Sequence, residues 1–357
     1  MSKKSLAFAV VVLFVGASVV SAFNVNSTND FKPMNRGNWL YVGGIGEGNY
    51  TKIQDAINDS VDGDTVFVYD DLSPYLEAVV VDKSINLVGE DKYSTVIDGF
   101  DFKKAVISIN VDGVLIQGFT IQNATESYGA NSAVAITSNN NSIVDNILQF
   151  SSWAGVSITF GDNNVIQENI IRDNSVSGVD ILGKFNMVIN NYIVNNRWGG
   201  VILEGAFNTN VSFNTIQAND AGIELLDFNR NNTFYQNNIT NNKIGIDIMM
   251  SSMNYVIQNN FINNNINARF ARCLVAEFFE KFIILIFQRD SYILKNYKEI
   301  GSNFWDGNYW NKSHVLPYPI LGRRGLFGTI ITIDNQFLPN RIAFDWHPAK
   351  EPYNIGG

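Results

Sequence analysis

Cysteine is nearly absent from this chain: Cys273 is the one example among 357 residues. A single thiol rules out an intrachain disulfide framework, so the fold has to hold by other means. Histidine is just as scarce, with His314 and His347 both near the C-terminus. Charge is sparse at 17%, and the balance of −9 argues against nucleic acid or an anionic membrane surface as a partner. Long helical periodicity is missing too, and no second run able to span a membrane follows the N-terminal one.

The N-terminus has the order of a secretory signal. Lys3 and Lys4 precede an apolar stretch from Leu6 to Val20, and Val20-Ser21-Ala22 supplies small residues for cleavage. Residues 1–22 are expected to be a signal peptide and 23–50 an extension, which makes the protein secreted or displayed at the cell surface. An uncleaved anchor is the alternative, and the only membrane contact expected. Acceptor sequons at Asn26, Asn49, Asn58, Asn123, Asn140, Asn210, Asn231, Asn238 and Asn311 fit an exported glycoprotein.

What the chain does have is self-similarity. Asn146, Asn169, Asn191, Asn214, Asn237 and Asn260 recur every 22 or 23 residues. A second polar column follows five residues later, and a glycine column runs through Gly155, Gly178, Gly200, Gly222 and Gly245. Behind each glycine come alternating aliphatics such as Val179/Ile181 and Val201/Leu203. Short β-branched segments divided by Asn and Gly, at this period, predict an all-β solenoid: a single-stranded right-handed parallel β-helix with one coil per repeat. Stacked in register, each asparagine amide hydrogen-bonds its copies above and below, so buried amides are satisfied. Asn also tolerates the left-handed backbone of tight bends. A leucine-rich repeat is the competitor, but its leucine columns are not seen here.

The β-helix is expected over 51–268. Thr51 and Gln54 have capping-box spacing for a short helix that plugs its front. Val79 to Val88 and Val106 to Ile121 form less regular first coils, and a loop bulges near Tyr128 to Ser132. Residues 269–302 lack ladder residues and read as a cap helix, a strand over the last coil, or an insertion. Residues 303–357 form a tail rich in Trp, Tyr and Pro, giving an irregular C-terminal cap.

The stretch from Gly43 to Tyr69, GGIGEGNYTKIQDAINDSVDGDTVFVY, and VDKSINLVGEDKYSTVIDG from Val81 to Gly99 resemble secreted β-helix proteins of the pectinesterase-like and NosD-like group. Their repeats are called carbohydrate-binding and sugar-hydrolysis domains. FWDGNYWN and the closing EPYNI are similar to C-terminal segments of prokaryotic surface members. The resemblance implies the fold; for function it implies glycan binding, polysaccharide chemistry, or copper handling of the NosD kind.

Motifs of known β-helix pectinolytic enzymes are missing: Gly-His-Gly, Asp-Phe-Ile-Phe-Gly and Arg-x-Pro-x-x-Arg do not occur. The residue between the paired aliphatics points outward, giving a column of Ser157, Asp180, Ile202, Glu224 and Asp247. Two residues on come Thr159, Leu182, Glu204, Leu226 and Met249. Glu224 and Asp247 on adjacent coils stand roughly 5 Å apart, the separation of a retaining glycosidase pair. With Asp180 they are the catalytic candidates; a Ca²⁺ site and an ordinary solvated strand face are the alternatives. Trp153 and Trp198 are expected two coils apart, suited to stacking on alternate sugars, with Glu204, Glu224 and Asp247 as further ligand contacts. Met249, Met250 and Met253 offer thioether donors for copper but also fit simple gap-filling. The expected partner is a polysaccharide or cell-surface glycan, with a cell-envelope protein as a second kind of partner. The expected role is glycan binding or a structural role at the surface, without catalysis; a polysaccharide lyase, hydrolase or esterase and a copper-maturation accessory are the alternatives.

Overall fold

A computed structural model describes residues 37–100, 102–125, 131–273, 303–311, 318–325 and 341–355. The chain winds as a parallel β-helix whose coils each give one strand to three sheets of 11, 10 and 11 strands. One coil supplies Val165–Gln167 to the first sheet, Ile170–Arg172 to the second and Ser177–Leu182 to the third. The next coil stacks in register, placing Ile166 on Val188, Ile171 on Ile193 and Val179 on Val201. The inward apolar side chains are fully buried: Ile143, Ile166, Val188, Val211, Phe234 and Val256 form one such column. Each is worth about 1.5–3 kcal/mol of apolar burial. Third-sheet strands reach six residues where first- and second-sheet strands have three, so this sheet offers the broadest outer face.

Asparagine ladders tie the bends. Asn191 Oδ1 accepts both the backbone N–H and the Nδ2 of Asn169, at 2.9 and 3.0 Å. Asn191 Nδ2 in turn reaches Ile166 O in the coil behind and Asn214 Oδ1 ahead. The same pattern runs from Asn146 through Asn237. Its next member is Asn259, not Asn260: Asn237 N donates to Asn259 Oδ1 at 2.9 Å. The repeat shortens by one residue there, and Asn260 instead exchanges two hydrogen bonds with the backbone of Tyr353. A second ladder runs through Asn174, Asn196, Asn219, Asn242 and Asn264. A third joins Asn141, Asn164 and Asn186, and resumes at Asn232 and Asn254 after Thr209.

The ladder asparagines are not themselves left-handed. The strained residue is the one before: Asp145, Glu168, Asn190, Phe213, Gln236 and Gln258 all have φ between 48° and 59°. Left-handed backbone costs about 1–2 kcal/mol per non-glycine residue. It is held even at Phe213 because the following asparagine locks the bend from both sides. Glycine is required where coils touch: a Cβ on Gly200 would lie 2.5 Å from Ile216 Cγ2 and 2.6 Å from Gly222 O.

The rod starts earlier than residue 51. Trp39–Val42 is already the first strand of the first sheet, in register with Thr65–Val68. Helix α1, Ile53–Asp59, plugs the front with Ile53, Ala56 and Ile57 fully buried. The expected capping box does not form, because Lys52 is the N-cap and makes no side-chain cap. Glu77 does the work from outside the helix, its carboxylate accepting Ile53 N at 2.8 Å and Gln54 N at 3.0 Å. Gln54 then pairs with Val80 N and O as a strand would, covering the end of the third sheet.

At the back, Ile266–Cys273 is a third-sheet strand, and 274–302 lie outside the described residues. The ladders continue across them: Asn254 meets Asn303 and Asn259 meets Asn308, steps of 49 residues in place of 22 or 23. The former tail therefore supplies a further coil, Phe304–Asp306 and Tyr309–Trp310, with extra chain ahead of it. Arg341–Asp345 closes the third sheet antiparallel to Tyr318–Gly325. The signal segment, most of the Tyr128 loop and His314 also lie outside the described residues. No helix among the described residues is long and apolar enough to cross a membrane.

Candidate functional site

The outer column of the third sheet is continuous. Ser157, Asp180, Ile202, Glu224, Asp247 and Arg269 pair one above the next. Adjacent members stand about 4.8 Å apart. Only four charged side chains occur on the five strands from Ala154–Thr159 to Ile244–Met249, and all are acidic: Asp180, Glu204, Glu224 and Asp247.

The face is not solvated in the ordinary way. Asp180 is 9% exposed, Glu224 5% and Asp247 2%, with Ile202 between them at 4%. Asp247 is paired by Arg269, Nη2 to Oδ2 at 2.5 Å. Glu224 has no such support: its Oε2 is buried and has no hydrogen-bond partner. Burial pushes the Glu224 carboxyl up to about 7, with Asp247 and Glu204 adding to the rise and Arg269 opposing it. Burial likewise raises Asp180 to about 6, with Glu204 adding and the Trp153 indole opposing.

Trp153 and the acidic column belong to one site. Its Nε1 donates to Asp180 Oδ2 at 2.9 Å, which fixes the indole against this face. Trp198 lies two coils on, linked through Val176: Val176 N donates to Trp153 O, and Trp198 N to Val176 O. Trp198 is open at 56% exposure, and Glu204 is exposed beside the column. Where the third-sheet strands end, the following turns carry the exposed rings of Phe160, Phe185 and Phe228. Aromatic groups thus border both edges of the acidic face.

Arg269 was missed by sequence reasoning, although it stands 22 residues after Asp247 and one more repeat step would have reached it. A second aromatic patch was also missed. Trp39, Tyr41, Phe67 and Tyr69 cluster on the outside of the first sheet, with centroids 5.1–6.3 Å apart. Its signal was plain alternation, Trp-x-Tyr on one strand and Phe-x-Tyr on the next.

The donor set for a metal is poor. Among the described residues no three of His, Cys, Asp and Glu come together in a way that could hold an ion. For copper, Met249, Met250 and Met253 are spread along one turn and only partly buried. Met253 occupies a left-handed bend position (φ 59°) equivalent to Asn163, Asn208 and Asn231. His347 is engaged by Asp306, Nδ1 to Oδ1 at 2.8 Å. The described residues do not fit a copper site.

Several solved structures are similar to this one. Pectate lyase Pel9A aligns over 66% of this chain and 75% of its own at 12% identity, with a TM-score of 0.48. The Dettilon tailspike protein aligns over 66% of this chain and 54% of its own at 15% identity, with a TM-score of 0.52. The A-module of a mannuronan C-5 epimerase from Azotobacter vinelandii covers 83% and 93% at 11% identity and a TM-score of 0.43. The likeness to the tailspike protein, at 15% identity, extends to the fold alone. No curated protein matches the chain. The family described as periplasmic copper-binding protein (NosD) matches residues 58–314, well over half of the sequence, and the chain belongs to that family.

Proposed function

We propose that this is an exported β-helix protein that binds a polysaccharide along the outer face of its third sheet, without cleaving it. The observation that carries the reading is the pairing of Trp153 with Asp180, two coils from the open Trp198. Two coil steps are about 10 Å, which suits ring stacking on alternate sugars of an extended chain. Asp180 lies on the coil between the two rings and Glu204 stands exposed on the coil of Trp198, both able to take sugar hydroxyls. Binding without turnover is supported by the state of the acidic pair: Asp247 is committed to Arg269 and nearly inaccessible. A glycosidase needs both carboxyls at the scissile bond. The family's description as periplasmic supports an exported location together with the N-terminal signal pattern. Copper is not carried over, since no donor cluster among the described residues supports it.

The test is a glycan array with the full chain, followed by a reducing-end assay on each hit. Binding with no new reducing ends, weakened at least tenfold by Trp153→Ala plus Trp198→Ala, is the expected result. Binding that survives this double substitution but is lost in Trp39→Ala would move the site to the first sheet and overturn the proposal.

A further inference from the structure

The acidity of the third-sheet face bears on which glycan it takes, and this inference rests on the glycan reading above. We propose that the bound polymer carries protonated amino groups, as a deacetylated amino-sugar chain does, and is not a polyuronate. The strands from Ala154–Thr159 to Ile244–Met249 present four carboxyl side chains and no basic one. The one described cation that enters the column, Arg269, is taken by Asp247. An exposed lysine close to these strands, Lys243, is likewise held by Asp220 at 2.7 Å. Along these strands a uronate carboxylate meets charges of its own sign, and a nearby exposed cation is Arg197 beside Trp198.

Glu224 supplies the second, independent pointer. Its side chain is more than nine-tenths buried, it stands next to Asp247 in the column, and Oε2 has no hydrogen-bond partner. A buried carboxyl oxygen without a donor is unfavourable. An ammonium group brings a positive charge and three N–H donors together, and so meets both needs at once. Trp198, one coil before Glu224, and Trp153, two coils further back, take the apolar faces of the sugars, and an indole face also accepts a cation. Glu204, exposed at the margin, draws the cationic chain towards the buried carboxyl.

The experiment titrates the full chain calorimetrically with three hexamers: glucosamine, N-acetylglucosamine and galacturonate. The glucosamine hexamer is expected to bind at least about tenfold more tightly than the acetylated one, with no binding of the galacturonate. The preference should shrink in about 1 M salt, where screening is nearly complete. In Glu224→Gln the ratio between the two amino-sugar hexamers should fall towards one. Equal affinities in the wild type, or tighter binding of the galacturonate, would overturn the assignment while leaving glycan binding intact. If no hexamer binds and the array is blank, the glycan reading itself falls and this inference with it.

Discussion

The carboxylate of Asp345 stands on Asn308 where the repeat would place one more asparagine. Its Oδ2 accepts Asn308 N at 2.9 Å and Asn308 Nδ2 at 3.1 Å, and also the indole N–H of Trp310 at 2.9 Å. Asp345 is fully buried, so the ladder ends on an acceptor with no donors of its own to satisfy. Asp345→Ala would leave three buried donors unmet and is expected to cost about 2–4 kcal/mol by urea denaturation. Asp345→Asn should lose much less. Equal losses in the two variants would show that side-chain volume, not acceptance, matters there.

Thr209 breaks the third ladder. Its backbone N–H reaches Asn232 Oδ1 at 2.8 Å, but its own hydroxyl is buried without a partner. Thr209→Asn should rejoin Asn186 to Asn232 and raise stability by about 1 kcal/mol, as repeat-consensus changes commonly do. A fall in the urea midpoint would mean that the bend there differs from its neighbours.

Gly200→Ala places a methyl group against Ile216 Cγ2 and the Gly222 carbonyl. Backbone cannot yield easily inside a stacked coil, so a loss of about 1–3 kcal/mol or more is expected. Gly48→Ala is the control, because no heavy atom lies within 4 Å of the added carbon, although its left-handed backbone (φ +86°) adds some strain of its own. Gly200→Ala should be the worse of the two.

Glu224 gives stability a pH dependence of definite sign. Its folded pKa, about 7, lies above its ordinary 4.5, chiefly through burial. The folded state therefore binds the proton more tightly, and charging Glu224 destabilises it. Asp180 acts in the same direction, from 3.8 up to about 6. Stability should fall as pH rises from about 4.5 through about 7, with little further change from Glu224 above that. Glu224→Gln should remove the Glu224 part of the fall and leave the Asp180 part, so its advantage over the wild type grows between pH 5 and pH 8 in thermal denaturation. An advantage independent of pH would contradict the buried, partnerless state of this carboxyl.

Much of the fold was legible because a solenoid writes its geometry into sequence spacing. Asn169, Asn191 and Asn214 announce the period, and Val179/Ile181 announce the inward alternation. The last coil was less legible, since one shortened step transfers the ladder from Asn260 to Asn259 and the following step is 49 residues long. The five-residue spacing of Asn303 and Asn308 repeats that of Asn254 and Asn259 and was the available signal. At the site, periodicity placed Asp180, Glu224 and Asp247 in one column correctly but said nothing about their burial. That depends on side chains from elsewhere, such as the Trp153 indole over Asp180, and spacing along one strand does not encode it. The helix cap failed for the same reason: Glu77 reaches Ile53 N from 24 residues away.

Hydrogen exchange with and without a bound glycan tests the central claim most directly. Protection is predicted in peptides covering 153–159, 177–182, 199–204 and 221–226, recurring at the coil period, with little change in the first-sheet segments 39–42 and 65–68. Protection confined to one contiguous stretch, or centred on Trp39 and Phe67, would contradict a ligand lying across the third sheet.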